Sequence, residues 1–123
     1  VMQPGDHGTT FGGGPLVAHV ANHVFDRLSD PDLLAHVVKE GKWLGAQLEK
    51  IKQRSPKVRA VRGRGFMWGV DVTDPAKDVV GRALEQGLMI VSAGDHTLRL
   101  LPPLVMSRED LKIGVEKLEA AIG

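Results

Sequence analysis

The chain has 123 residues, 42% of them apolar and 25% charged, with sixteen basic residues against fifteen acidic ones and no cysteine. That length suits a single domain with a real core, and the scattered, balanced charge gives no footprint for nucleic acid or a membrane surface. Disulfide and thiol chemistry are excluded, no apolar run reaches the ~18 residues of a membrane span, no signal peptide is evident, and the compartment expected is the cytoplasm.

Residues 1–14 read as loop, rich in glycine through "GDHGTTFGGGP". A loop that serves a site usually has scaffold on both sides. This one follows a start without an initiator Met, so a fragment of a longer protein is expected. From Pro15 the spacing of Leu16, Val17, Val20, Ala21, Val24, Phe25 and Leu28 predicts a helix with Pro at its first position. "SDPDLL" opens a second helix, capped by Asp30 and begun by Pro31. Its stripe is Leu33, Leu34, Val37, Val38, Leu44, Leu48 and Ile51, and it should end near Arg54, before Ser55-Pro56.

The period then becomes two. Phe66, Trp68, Val70 and Val72 alternate with Met67, Gly69 and Asp71, a strand with one buried face, and Val58 to Arg62 form a shorter strand before it. Asp74 and Pro75 are read as the cap and start of a third helix carrying Val79, Val80, Ala83 and Leu84 and stopping at Gly87. Leu88 to Val91 and Thr97 to Leu100 are read as short strands around the turn "AGDH", the second ended by "LPP". Ser107 opens the last helix through "SRED", a capping box with Asp110 in place of Glu, and Leu111, Val115, Leu118 and Ile122 form its stripe. The connections are short. The fold class expected is α+β, a small, largely antiparallel sheet with helices packed on one face. A Gly-rich loop and linking helix (1–28) precede a small α+β domain (29–123).

Several chemical motifs fail on inspection. Gly8 and Gly13 fit half of a P-loop, but Gly14-Pro15 stands where Lys and a hydroxyl residue are needed. Gly63 and Gly65 begin a dinucleotide fingerprint whose third glycine is replaced by Trp68. His19 and His23 share a helix face, but Val20 replaces the Glu of a metalloprotease and no third ligand sits at a familiar spacing, so no metal is expected. His7, His36 and His96 are isolated, and the acidic pairs Asp30/Asp32 and Glu109/Asp110 suit helix starts. Two features survive beside their plainer readings. Thr9 and Thr10 offer hydroxyls in a Gly-rich turn before a helix, either an anion contact or a structural turn. Arg99, opposite in facing to Leu98 and Leu100, is either a carboxylate clamp or a surface strand residue.

Taken together, "GDHGTTFGGGPL", "VRGRGFMWGVDV" and "GLMIVSAGDHTLRLLPPLVMS" resemble, in order and separation, the C-terminal part of class III, pyridoxal-phosphate-dependent aminotransferases. The form "HGTTFGG-x-PL" is most similar to the acetylornithine-acting members. The resemblance implies that the full-length enzyme carries pyridoxal 5'-phosphate and moves the δ-amino group of N-acetylornithine to 2-oxoglutarate, in arginine biosynthesis. It implies a homodimer with a shared site. Thr10 would contact the cofactor phosphate of the neighbouring subunit, Thr9 would lie at the substrate, and Arg99 would bind the substrate carboxylate. Gly14 departs from the family's usual Asn. The Schiff-base lysine and the Asp at the pyridine nitrogen lie upstream in the family, so the chain is expected to hold no catalytic residue and to be inactive alone. The alternatives are another ω-amine transaminase of the class (for ornithine, succinylornithine or a carrier-linked lysine), or a non-enzymatic α+β anion-binding module.

Overall fold

The computed structural model describes Gly8, Thr10 and residues 12–123. Most of the Gly-rich loop, Thr9 included, therefore lies outside the described residues. Two compact units divide at Leu34/Ala35. The first contains helix α1 (Pro15–Leu28), with Gly14 as an N-cap that makes no side-chain hydrogen bond and Pro at the first turn. None of its residues is buried; its apolar stripe stays open, with Leu16 77% and Phe25 68% exposed.

Helix α2 (Pro31–Arg54) begins as the sequence predicts. The Asp30 carboxylate accepts hydrogen bonds from the N–H groups of Asp32 (2.8 Å) and Leu33 (3.1 Å), satisfying donors that the first turn cannot pair itself. The second unit holds most of this helix. Its inward face is Leu44, Leu48 and Ile51, while Leu34 and Val38 of the expected stripe remain exposed.

Strands β1 (Val58–Arg64) and β2 (Met67–Val72) form a hairpin whose two-residue loop is Gly65–Phe66. Gly65 has φ of +57°, a conformation that glycine takes without a Cβ penalty. Phe66, at the tip, is buried, and its ring meets the His36 ring edge-on at 6.1 Å. The Trp68 indole donates to the Gly65 carbonyl at 2.8 Å. Gly41 and Gly45, one turn apart on α2, lie against Gly65 and the Trp68 ring with no room for a Cβ. These contacts fasten the hairpin tip to the helix.

Helix α3 (Ala76–Glu85) corrects one expectation: Pro75 is its N-cap and Asp74 caps nothing. The Asp74 carboxylate instead accepts from Arg82 at 2.8 Å, and Arg82 Nε donates to the Ala121 carbonyl at 2.7 Å. The helix ends as expected at Gly87, φ +72°. The N–H of Leu88 bonds the carbonyl of Ala83 and that of Gly87 bonds Leu84, both at 2.8 Å, the paired closure of a Schellman motif. That closure corrects a second expectation. Leu88 is committed to ending a helix, so strand β3 is only Val91–Ser92. Strand β4 (Thr97–Leu100) is as predicted.

The final helix, α4 (Arg108–Ile122), has Ser107 as N-cap, its hydroxyl accepting from the Asp110 N–H at 3.1 Å. The return half of the box differs. The Asp110 carboxylate accepts from the Ser107 hydroxyl at 2.7 Å, since Asp is one methylene shorter than the Glu that reaches the N-cap backbone. The sheet runs β1-β2-β4-β3, antiparallel throughout. One face carries Val70, Val72, Leu98 and Leu100 into a core shared with Leu48, Val79, Leu111 and Leu118 of the three helices. The α+β arrangement with helices on one face is thus the observed one.

Candidate functional site

The other face of the sheet is open, and its register decides what it carries. Directly opposed residues point the same way. Arg62, Gly69, Arg99 and Val91 therefore form one row across all four strands. Ala60, Asp71 and Thr97 form the next row, and Arg64 with Met67 the row on the other side. Because Gly69 has no side chain, the Arg62 side chain can lie over the main chain between the two arginines.

The charges on this face are unequally paired. Arg62 donates to Asp71 Oδ2, the Thr97 hydroxyl donates to Asp71 Oδ1 at 2.6 Å, and Arg62 Nη2 reaches the Thr97 hydroxyl at 3.4 Å. Hydrogen bonds from Arg62 first, and from Thr97 second, hold the Asp71 carboxyl below its ordinary range against the opposing effect of burial. Arg99 is exposed, between buried Leu98 and Leu100. Among the described residues it has no ion-pair partner. A guanidinium on a rigid strand with its donors unspent suits bidentate capture of a carboxylate.

The sequence singled out Arg99 and missed Arg62, Asp71 and Thr97. A signal was present. A two-residue loop at Gly65–Phe66 pairs Arg64 with Met67, and counting outward brings Arg62 to Gly69 and Ala60 to Asp71.

Thr10 lies at an exposed bend ahead of α1, in the first unit, while Arg99 belongs to the second; Thr9 lies outside the described residues. An exposed hydroxyl before a helix start without a side-chain cap can donate to a phosphate oxygen. His19 and His23 are exposed on α1. Among the described residues no group of three His, Cys, Asp or Glu side chains could hold a metal ion, and no helix is long and apolar enough to cross a membrane.

On the helix side of the sheet, an ion pair joins buried Glu40 to half-buried Arg108, whose guanidinium also stacks 4.5 Å from the Trp43 ring. The hydrogen bond from Arg108 keeps the Glu40 carboxyl below its ordinary value despite burial. A concavity of about 280 Å³ lies between β4 and α4, lined by apolar residues such as Leu88, Ile90, Pro102, Met106 and Ile113. Its charged lining residues are Lys117 and Asp110, whose carboxylate accepts from the Ser107 hydroxyl.

Comparison with known proteins bears on the family and the fold. The family model for class-III aminotransferases matches residues 1–122. The mitochondrial acetylornithine aminotransferase of Eremothecium gossypii is 37% identical over all of this chain, which spans 29% of that relative. An acetylornithine/succinyldiaminopimelate aminotransferase of Photorhabdus laumondii is 41% identical over 99% of the chain and 31% of its own length. The crystal structure of acetylornithine aminotransferase from Elizabethkingia anophelis superposes with a TM-score of 0.85 at 31% identity, covering 98% of this chain and 31% of that one. The ornithine δ-aminotransferase of Plasmodium falciparum gives 0.86 at 30% identity, covering 98% of this chain and 32% of that one. The chain thus spans about three tenths of the length of these relatives, and with a match running along nearly its whole length it belongs to the class III aminotransferases.

Proposed function

We propose that the chain serves a full-length acetylornithine-type aminotransferase, in which Arg99 grips the carboxylate of the amino-acid substrate. The observation that carries this reading is the exposed guanidinium of Arg99 on the open sheet face, without an ion-pair partner among the described residues. The names of the relatives support acetylornithine as the amino donor, and 2-oxoglutarate is the acceptor we propose. The residues present fit the cofactor in one respect: the exposed Thr10 hydroxyl would donate to the phosphate of pyridoxal 5'-phosphate, across a homodimer interface. When bound, that group stabilises negative charge at the carbon bearing the amino group. Thr9 is proposed to line the substrate site.

What this chain's own residues contribute is binding and orientation. Two parallel N–H donors of Arg99 would fix the carboxylate, and with it the direction in which the amino group is presented. The strand fixes the backbone from which that fork projects, and the planar guanidinium makes both bonds for the ordering of a single side chain. No lysine of this chain is assigned to the chemistry, and the chain alone is proposed to be inactive.

The test is Arg99→Lys in the full-length enzyme. A Lys ammonium keeps the charge and loses the fork. kcat/KM for acetylornithine should fall by roughly ten- to a few-hundred-fold, the ~1.5–3 kcal/mol of a charge-assisted bond. An amine without a carboxylate should lose much less. Equal losses for both substrates would remove the clamp assignment.

A further inference from the structure

Resting on the reading of Arg99 above, we infer that Arg62 is a positioning residue that keeps Arg99 free for the substrate by holding Asp71 away from it. The register makes the two arginines competitors. Both stand opposite Gly69, Arg62 on β1 and Arg99 on β4, so both are diagonal neighbours of Asp71. A diagonal separation on a sheet lies within reach of a long side chain. Asp71 is therefore placed to pair with either one, yet only Arg62 takes it.

The rest of the cluster favours that outcome. The Thr97 hydroxyl occupies Oδ1 from the β4 side, and Arg62 takes Oδ2 while its second terminal nitrogen reaches Thr97. Both carboxylate oxygens are thus engaged without Arg99. Gly69 puts no side chain of its own between the strands, and Arg62 lies across it: a Cβ built there would meet Arg62 Cγ and Nε at 3.7 Å and Thr97 Cγ2 at 3.5 Å. The other cations facing Asp71 are Arg64, one row beyond Arg62, and Arg59. Neither pairs with it. If Arg62 were removed, the free carboxylate oxygen would have two cations left to turn to, Arg59 and, in diagonal reach on β4, Arg99; wherever it takes Arg99, a substrate carboxylate would have to displace it.

The experiment uses the full-length holoenzyme and four variants: Arg62→Met, Arg62→Lys, Arg62→Met with Asp71→Asn, and Arg99→Lys. The readouts are KM for acetylornithine, the inhibition constant of pentanoate as a simple carboxylate probe, and kcat for a carboxylate-free amine. Arg62→Met should raise the first two about three- to five-fold, the reach of an exposed ion pair, and leave the third unchanged. Adding Asp71→Asn should restore both, because the competing charge is gone. Arg62→Lys, which still pairs Asp71, should stay within about two-fold of wild type. A loss that persists in the double variant, or no loss in Arg62→Met, overturns the inference. Failure of Arg99→Lys to discriminate carboxylate from amine instead overturns the reading of Arg99, so the two failures are distinguishable.

Discussion

Gly41 and Gly81 should respond to the same substitution with opposite signs. Both lie inside helices, α2 and α3, where Ala in place of Gly gains roughly 0.5–1 kcal/mol from backbone entropy. At Gly81 a Cβ meets nothing within 4 Å, so Gly81→Ala should stabilise by about that amount. At Gly41 the new Cβ would stand 2.6 Å from the Cα of Gly65 and 2.7 Å from its carbonyl carbon, both main chain. No rotamer change relieves that contact. The hairpin tip must step back, and Phe66 and the Trp68 hydrogen bond move with it. Overpacking of this kind costs about 1–3 kcal/mol, and a rigid neighbour puts it near the top of that range. The net effect of Gly41→Ala should be a loss of roughly 2 kcal/mol. With a urea slope of about 2 kcal/mol per molar, the midpoint should fall by ~1 M for Gly41→Ala and rise by ~0.3–0.5 M for Gly81→Ala. Urea titration of the chain followed by tryptophan fluorescence measures both. A Gly41→Ala midpoint at or above wild type would refute the close helix–hairpin approach.

Thr10→Ala in the full-length enzyme should raise the dissociation constant of the cofactor ten-fold or more, through loss of one charge-assisted hydrogen bond of about 1.5–3 kcal/mol; equilibrium dialysis measures it, and unchanged affinity would leave Thr10 a turn residue. Acid should destabilise the chain in a defined window. Glu40 and Asp71 both titrate lower folded than their ordinary values of 4.5 and 3.8, so their stabilisation is complete above those values and is lost as the pH falls through the lower folded ones. Urea midpoints should therefore hold above about pH 5 and decline below it, more shallowly in Glu40→Gln.

Element placement was legible because its signals are local. Pro15, Pro31 and Gly87 mark helix ends that lie where expected, and Asp30 and Ser107 cap as read. What escaped the sequence depended on partners far along the chain. Asp74 has the chemistry of a cap, yet Arg82 and the end of α4 claim its surroundings. The apolar run from Leu88 looks like a strand, but its first N–H finishes a helix. Glycines 41 and 45 leave no mark in hydrophobic periodicity, because they matter through what approaches them. For the candidate site, the alternation of "TLRLL" was enough to put Arg99 on the open face. The pairing of Arg62 with Asp71 required the register, which rests on a two-residue loop whose second member, Phe66, does not advertise a turn.

That loop also limits how the open face can vary. One residue inserted at Gly65–Phe66 would advance β2 by a single position against β1, and alternate side chains would exchange faces. Val70 and Val72 would be driven out into water and Asp71 into the core. The tip, seated on Gly41, has no slack in which to absorb an extra residue. Changes in the chemistry of this face should therefore arise by exchange of single side chains, with chain length at this hairpin held constant. The turn between β3 and β4, at the opposite end of the sheet, is tied as well: the carbonyls of Asp95 and His96 accept from the N–H groups of Ala76 and Val72, so chain length there should be held constant too.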